Sequence, residues 1–246
     1  MLAGSTEDAS RTQRLYRLVA VLVTAVAVAA VLIAVLTSGS TSQLRPGRPV
    51  PGAAQMLALL AGIPQHGDAL GDPRAPVTLV EFGDLQCPAC AAFAAGALPS
   101  IVTRYVRTGR VRLVFRALDF LGHDSLRAAR MALALGAQNR LWQFVDLMYR
   151  NQGLENSGYV TDTYLRALAG AIPEVDVARA LSTRDSTGVQ SQIDAARALA
   201  LGLHLQSTPA FLLSRGGAPG QRFSPANSED PGSFSGAIDR LLGRER

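Results

Sequence analysis

The chain has 246 residues, a length that allows one or two domains. Hydrophobic residues make up 48% of it and charged residues 17%, which is rich in apolar residues for a purely soluble protein. The net charge of +5 comes from arginine alone, since lysine does not occur, and the arginines are dispersed without a basic run among aromatic residues. This pattern excludes the known nucleic-acid-binding motifs, and no nucleic-acid partner is expected.

The apolar surplus is concentrated near the N-terminus. Residues 18–37 form an uncharged run that, at about 1.5 Å per helical residue, spans roughly the 30 Å hydrocarbon core of a bilayer. Arg11, Arg14 and Arg17 precede the run, and positive charges mark the cytoplasmic side. A cleaved signal peptide is the alternative, but its apolar region usually has only about 7 to 15 residues. We therefore predict a cytoplasmic tail (1–17), a signal-anchor transmembrane helix and an extracytoplasmic remainder, in a single-pass protein of the cell membrane.

A segment rich in Ser, Gly and Pro follows the anchor. Residues 38–62 are predicted to be a flexible linker, because this composition favours coil and turns. Apolar residues between Met56 and Leu60 are compatible with a short helix inside it. The globular domain is predicted to cover residues 63–246, and its first clear element is an apolar strand around residues 79–82.

This strand leads directly into the only two cysteines of the chain, in the sequence Cys87-Pro88-Ala89-Cys90. Two sulfurs at this spacing lie on one face of a helical turn and can form a disulfide without backbone movement. The exposed N–H groups and dipole at a helix start stabilise a thiolate on Cys87, which predicts that Cys87 attacks and Cys90 resolves the mixed disulfide. Pro88 suits the first helical turn, where its missing N–H needs no partner. We predict a redox-active pair.

The sequence argues against two other roles for the cysteine pair. A structural zinc site needs four ligands, and the chain offers only His66, His123 and His204 beyond the cysteines, without ligand spacing, so no metal is expected. An inert structural disulfide would close too short a loop to stabilise the fold much. An outward-facing Cys-x-x-Cys pair lies where thiols are exchanged, which favours catalysis.

The next elements follow from hydrophobic spacing. A helix continues after the cysteines, with a kink or break predicted at Pro99, and it ends at Thr108-Gly109. Val111–Phe115 is a second strand, predicted to pair in parallel with the first because a helix connects them.

The remaining chain begins with helices and ends with strands and one helix. Periodic stretches from Asp124 to about Leu203 are helical, and an inserted helical domain is placed at about 122–190. A strand at Thr208–Leu213, an edge strand near Arg222-Phe223 and an amphipathic helix from Phe234 to Leu242 complete the chain.

This order of elements resembles the DsbA-like thioredoxin-fold thiol–disulfide oxidoreductases, in a membrane-anchored form. The resemblance covers roughly residues 63–245 and implies an α/β thioredoxin fold with an inserted helical domain, here preceded by the transmembrane helix. Its most specific pieces are Glu81–Cys90, Leu141–Phe144 and Ser207–Phe211.

The resemblance also implies roles for residues away from the cysteines. Pro209 corresponds to a cis-proline beside the two sulfurs, which leaves neighbouring backbone groups able to pair with an extended substrate, and Thr208 faces the active site. Glu81 matches a buried acid that relays a proton to and from the inner cysteine. Its place in a central parallel strand, covered on both faces, supports burial and a raised pKa. Asp84 is expected to be a turn or capping residue.

The function implied is formation of disulfide bonds in exported proteins that carry thiols, without a cofactor. A membrane quinone-linked partner is expected to regenerate the disulfide. The strongest oxidants of the family carry His where this chain has Ala89, which predicts a less stabilised thiolate and a milder oxidant. A disulfide isomerase or reductase of the same fold, or a non-catalytic membrane-tethered binding module, remains the alternative. His123 and His204 match no catalytic position of the family.

Overall fold

The computed structural model describes residues 44–216 and 218–243. The predicted tail and transmembrane anchor lie outside the described residues. The compact unit begins at Leu44, which is earlier than the predicted domain start at residue 63. Met56 and Leu60 are buried in the main core. The prediction of a flexible linker is therefore wrong from Leu44 onwards, because this segment packs on the domain. Local composition missed this because only two side chains of the first helix enter the core.

One helix and two short strands come first, and longer strands flank the helical insertion on both sides. The helices are α1 (Ala53–Leu60), α2 (Pro88–Ala95), α3 (Ala97–Ile101), α4 (His123–Gly136), α5 (Leu141–Arg150), α6 (Asp162–Gly170), α7 (Val177–Thr183), α8 (Thr187–Gly202) and α9 (Gly232–Leu241). A π-helical turn, Val102–Val106, follows α3. The strands are β1 (Gln65–His66), β2 (Ala69–Leu70), β3 (Val77–Asp84), β4 (Val111–Leu118), β5 (Ala210–Arg215) and β6 (Gln221–Phe223).

The strands form one sheet in the order β1-β2-β4-β3-β5-β6. β3 and β4 are parallel, from Val77 opposite Val111 to Asp84 opposite Leu118, as the strand–helix–strand order predicts. The other pairs are antiparallel. β3 is therefore central, with neighbours on both sides, and its C-terminal end carries the cysteine loop.

Alternation along β3 sends side chains to two cores. Leu79 packs in the larger core, with α2 and α5, while Phe82 packs in a smaller core with Ala196 and Ala200 of α8. Both faces of the strand are covered, which confirms the prediction for residues 79–82. Glu81 lies on the face of the larger core, because residues two apart in a strand share a face.

The helices between β4 and β5, α4 to α8, end at Gly202, as the helical spacing from Asp124 to about Leu203 predicts. α8 is one continuous helix that packs on β4 and α4. Its small side chains allow the helix to approach the sheet closely.

The helix after the cysteines breaks at Gly96, not at Pro99 as predicted. A Cβ at Gly96 would lie 2.5 Å from the carbonyl oxygen of Glu229, so the close approach of the loop before α9 requires glycine there. Pro99 lies in the first turn of α3, where a missing N–H costs nothing.

One helical stretch among the described residues, Pro88–Val106, is long and apolar enough to cross a membrane. Half of it is buried inside the domain, as expected for a core helix of a folded unit.

Candidate active site

The cysteine pair lies where β3 ends and α2 begins. Cys87 precedes the helix with extended backbone angles (φ −70°, ψ 120°), and Pro88 takes the first helical position. The Cys87 N–H donates to the Asp84 carbonyl at 3.0 Å, and the Cys87 carbonyl accepts from the Ala91 N–H at 3.1 Å. Cys87 exposes 8% of its surface and Cys90 none. Both thiols are free, so the site is in its dithiol form.

The environment of Cys87 favours its thiolate. A hydrogen bond from the Cys90 thiol contributes most, and the Thr208 side chain and the N–H groups of Cys90 and Ala89 add to it, so the pKa of Cys87 falls to about 6 despite partial burial. When protonated, the Cys87 thiol donates to the Thr208 carbonyl at 3.3 Å. Cys87 is therefore mostly ionised at neutral pH, which is the reactive form of a thiol.

Cys90 and Glu81 have the opposite character. Burial raises the pKa of Cys90 well above its ordinary value, and its hydrogen bond to Cys87 and the charge of Glu81 act in the same direction. Burial, followed by the negative charge of Cys87, raises the pKa of Glu81 to about 8, while the Tyr149 hydroxyl that faces the carboxyl acts to lower it. Glu81 exposes only 3% of its surface. The inner thiol thus keeps its proton beside a carboxyl that titrates near neutrality.

The Thr208–Pro209 peptide bond is cis, as the resemblance implied. It immediately precedes β5, whose first residue, Ala210, lies opposite Phe82 in β3. This register brings the end of β3 and the start of β5 to the same edge of the site, which explains the contact between Cys87 and Thr208. The structure therefore brings together Cys87, Cys90, Glu81 and the Thr208–Pro209 pair.

A hydrogen-bonded hub next to the cysteines was not predicted. Asp84 Oδ1 accepts from the Gln86 N–H at 2.9 Å and from the Ser125 hydroxyl at 2.6 Å, and Oδ2 accepts from the Leu121 N–H at 2.9 Å. The Gln86 amide donates to the Ser125 oxygen at 2.8 Å and accepts from the Asn156 N–H at 2.8 Å. Asp84 does cap the turn, and it also joins the cysteine loop to the helical insertion.

Two side chains of the α5 region approach the same loop. The Gln152 amide donates to the carbonyls of Leu85 at 3.1 Å and Cys87 at 3.2 Å. Tyr149 places its hydroxyl at the floor of the site, and it extends the apolar spacing that ends at Met148, which was the available signal for its burial. The polar loop residues gave no periodic signal. The residues that sequence reasoning missed are Gln86, Ser125, Tyr149, Gln152 and Asn156.

The remaining predicted residues lie at the surface. Pro88 and Ala89 are exposed, so the face above the cysteines is lined by small side chains. His123 and His204 are exposed as well, and neither is a main contributor to the pKa of either cysteine. Within the described ranges, no group of three or more His, Cys, Asp or Glu side chains could hold a metal ion.

The fold and the site define a thiol–disulfide oxidoreductase. A sequence profile of the family described as Thioredoxin matches residues 65–234. The chain belongs to the thioredoxin family, as a DsbA-like member.

Relatives of known name agree with this class. The chain is 32% identical to the probable disulfide bond formation protein D of Bacillus cereus over 149 residues, which cover 59% of this chain and 69% of that protein. It is 27% identical to disulfide bond formation protein D of Bacillus subtilis over 147 residues, covering 59% and 66%.

Solved structures show the same fold. Oxidised BdbD from Bacillus subtilis matches with a TM-score of 0.63 and 24% identity, over 76% of this chain and 99% of that chain. A thioredoxin-like oxidoreductase from Silicibacter pomeroyi matches with a TM-score of 0.55 and 26% identity, over 77% and 98%.

Proposed function

We propose that this oxidoreductase forms disulfide bonds in exported proteins through Cys87 and Cys90, outside the cytoplasm. The observation that carries the proposal is the inequality of the two thiols. Cys87 has its pKa lowered to about 6, and Cys90 has its pKa raised, beside a buried carboxyl. A low-pKa sulfur is both a good attacking group at neutral pH and a good leaving group. The names of the Bacillus relatives, which are disulfide bond formation proteins, support the same direction.

The substrate half of the reaction consumes the Cys87–Cys90 disulfide. A substrate thiolate attacks the Cys87 sulfur, the bond to Cys90 breaks, and Cys90 leaves with the electron pair and takes a proton. A second substrate thiolate attacks the substrate sulfur of the mixed disulfide, and Cys87 leaves as its stabilised thiolate. The substrate gains a disulfide, and the enzyme retains the two electrons as a dithiol.

Glu81 supplies and removes the proton on Cys90. In the substrate half, the protonated carboxyl gives its proton to the departing Cys90 sulfur. During regeneration, Cys87 forms a mixed disulfide with a partner, and Cys90 returns its proton to the Glu81 carboxylate. The Cys90 thiolate then attacks the Cys87 sulfur, the bond from Cys87 to the partner breaks, and the partner's sulfur leaves as a thiolate. A carboxyl whose pKa is raised to about 8 can serve in both directions near neutral pH.

Thr208 and Pro209 serve substrate binding. Their backbone lies beside Cys87, at the start of β5, and Thr208 is half-buried next to the sulfur. An extended substrate segment placed along this backbone brings its own cysteine in line with the Cys87 sulfur. The Ala89 side chain is exposed and has no hydrogen-bonding group, so it leaves the thiolate less stabilised than a histidine side chain would, which makes the enzyme a mild oxidant.

The domain is held outside the cytoplasm by the uncleaved helix proposed for residues 18–37. A membrane quinone-linked partner accepts the electrons of the dithiol, since each substrate oxidised leaves the enzyme reduced. Proteins with thiols that emerge across the membrane are the substrates. Protease added to intact cells should therefore remove the domain, and a soluble mature protein that begins after Ser38 would contradict the anchor.

The decisive experiment is the redox equilibrium of the Cys87–Cys90 couple against glutathione, combined with oxidation of a reduced protein that contains two thiols. A couple more oxidising than glutathione, with disulfide transfer to the protein, is expected. A strongly reducing couple would instead assign an isomerase or reductase. If the wild-type chain exchanges disulfides no faster than a Cys87→Ser control, the protein is a binding module and not an enzyme.

A further inference from the structure

The floor of the active site contains a third polar group, the hydroxyl of Tyr149. A Cβ atom placed on Gly83 would lie 2.6 Å from the Tyr149 hydroxyl oxygen and 3.0 Å from Glu81 Oε1. The same Cβ would lie 2.6 Å from Phe115 Cε2. The phenol and the carboxyl therefore converge on the space that the missing side chain of Gly83 leaves, two residues along β3 from Glu81.

Both oxygen atoms are buried polar groups. In the part of the chain that the structure describes, neither Glu81 Oε1 nor the Tyr149 hydroxyl has a hydrogen-bond partner. Tyr149 exposes 6% of its surface, and its ring is held by its place in α5. A buried polar atom without a partner costs free energy, and a catalytic role in another state of the site is one explanation for such an atom.

The state that would use both atoms is the one in which Glu81 is ionised. Burial first, then the charges of Cys90 and Glu81, raise the pKa of Tyr149 well above its ordinary value, so the phenol keeps its proton and can only donate to a carboxylate. A hydrogen bond to a charged acceptor is about twice as strong as one between neutral groups. The phenol is therefore placed to stabilise one protonation state of its neighbour.

We propose that Tyr149 is a positioning residue for Glu81, which donates a hydrogen bond to the ionised carboxylate and sets the pH range in which Cys90 is deprotonated. Gly83 leaves the room that this arrangement needs. The inference rests on the proton relay of the proposed function and deepens it, because it names the group that controls the relay.

The proton balance is simple. In regeneration the Cys90 thiol gives its proton to the Glu81 carboxylate, and the Cys90 electron pair forms the bond to Cys87 as the partner's sulfur leaves. Tyr149 keeps its own proton throughout and releases its hydrogen bond when the carboxyl becomes neutral. It acts on the step that needs carboxylate, and much less on the substrate half, which needs the protonated acid.

Other titratable groups also face Glu81 and contribute to the pH profile of closure. Cys87 and Cys90 face it from the start of α2, Tyr149 faces it from α5, and Asp84 lies on its own strand. The profile of the Cys87 thiolate must therefore be measured separately, in a Cys90→Ala chain with and without the tyrosine change.

The experiment follows closure of the disulfide in the full chain in detergent. Mixed disulfide with glutathione is formed on Cys87, and attack by Cys90 is timed by acid quench and mass spectrometry between pH 5 and pH 9. Tyr149→Phe should move the closure profile about one unit to higher pH and slow closure about tenfold at pH 7, since a one-unit rise changes the carboxylate fraction tenfold. The alkylation profile of Cys87 should move far less.

Tyr105→Phe is the matched control. Tyr105 is also buried, with a hydroxyl that lacks a partner among the described residues, but it lies in the π-helical turn at the opposite end of β4 from the site. It should leave the closure profile unchanged. An unchanged profile in Tyr149→Phe, or an equal shift in Tyr105→Phe, would overturn the inference.

A second measurement has the opposite sign and needs no loss of the hydroxyl. Replacing the tyrosines by 3-fluorotyrosine makes the phenols stronger donors and should move closure to lower pH, whether or not Tyr149→Phe folds. A shift in the other direction, or none, would overturn the inference. Glu81→Gln distinguishes failure of the proton relay from failure of the role of Tyr149. If Glu81→Gln leaves closure unchanged, the relay itself is wrong. If Glu81→Gln alters closure but the tyrosine changes do not, only the role of Tyr149 is wrong.

Discussion

The two cysteines lie three positions apart in sequence and in two opposite environments. Cys87 is at the rim of the site, where the Cys90 thiol, the Thr208 side chain and backbone N–H groups stabilise its thiolate and lower its pKa. Cys90 is at the floor, where burial raises its pKa. The rim is built from hydrogen-bond donors, and the floor from apolar surroundings that contain the Glu81 carboxyl and the Tyr149 hydroxyl.

This difference shows how one turn of helix can separate two chemically identical groups. A helix start offers N–H groups only to its first residues, and the next turn is already covered by the domain. In the proposed function, the rim determines which sulfur reacts with other proteins, and the floor determines when the second sulfur can follow. Changes to each region should have separate effects.

Removing either sulfur should have the largest effect on disulfide exchange. Cys87→Ala is expected to abolish exchange, whereas Cys90→Ala should accumulate mixed disulfides on Cys87 with exported proteins, identified by mass spectrometry of trapped adducts. Loss of the Cys90 thiol removes the largest cause of the lowered pKa, so the pKa of Cys87 should rise above 6 in iodoacetamide alkylation profiles. Faster alkylation of Cys90 than of Cys87 in the unchanged chain would reverse the assigned roles.

Filling the floor should destabilise it. Gly83→Ala places a methyl group 2.6 Å from Phe115 and from the Tyr149 hydroxyl, and overpacking of this kind is expected to cost about 3 kcal/mol in the free energy of unfolding. Urea denaturation measures it. The control is Gly170→Ala, whose Cβ has nothing within 4 Å and should leave stability equal or slightly higher. Equal effects of the two changes would show that the floor is not tightly packed.

Neutralising the acid of the floor should stabilise the fold while slowing the reaction. Because the pKa of Glu81 is raised to about 8, its burial penalty is absent at pH 4, grows as the unfolded chain ionises above its ordinary pKa, and levels off above pH 8. Glu81→Gln should therefore increase the free energy of unfolding of the reduced form by about 3 kcal/mol at pH 7 and leave it nearly unchanged near pH 4.

Thermal unfolding between pH 4 and pH 8 checks the sign of this effect. Glu174→Gln is the surface control, since the Glu174 side chain is 80% exposed, and it should change little across the range. A stability difference for Glu81→Gln that is independent of pH would show that the carboxyl does not titrate as its burial implies.

A substitution at the rim, at position 89, should change the reduction potential only modestly. Ala89→His adds an imidazolium near the Cys87 thiolate, so the pKa of Cys87 should fall and the reduction potential should become more oxidising, by about 30 mV for an interaction of about 1.4 kcal/mol. Equilibration with glutathione measures the potential. Ala89→Gln is the neutral control and should shift it less, while a histidine variant with an unchanged potential would show that position 89 does not limit the thiolate.

Features that depend on neighbouring residues were predictable from the sequence. The cysteine pair after an apolar strand predicted the helix start and the unequal thiols, because capping and the helix dipole act within one turn. The apolar run around residues 79–82 predicted a strand, and its expected central place, covered on both faces, predicted the burial of Glu81. The resemblance of the Thr208-Pro209 stretch supplied the third part of the site.

Features that depend on distant contacts were decided only by the tertiary structure. The loop before α9 approaches Gly96 and moves the helix break away from Pro99, although Glu229 is far along the chain. Asp84 becomes a hub because Leu121 and Ser125 reach it from the insertion. Neither contact leaves a periodic trace, since one backbone approach or one hydrogen bond places no repeated demand on residue type.

The approach of Glu81 and Tyr149 to the space beside Gly83 is of the same kind. Spacing along α5 is consistent with burial of Tyr149, but it carries no information on the direction of the hydroxyl. That direction depends on α5 packing against β3 where Gly83 has no side chain, and a glycine inside a strand has no single meaning in sequence. The unequal environments of the two sulfurs are thus a local property of the chain, whereas the floor beneath the second sulfur forms only where side chains of β3 and α5 share one small space.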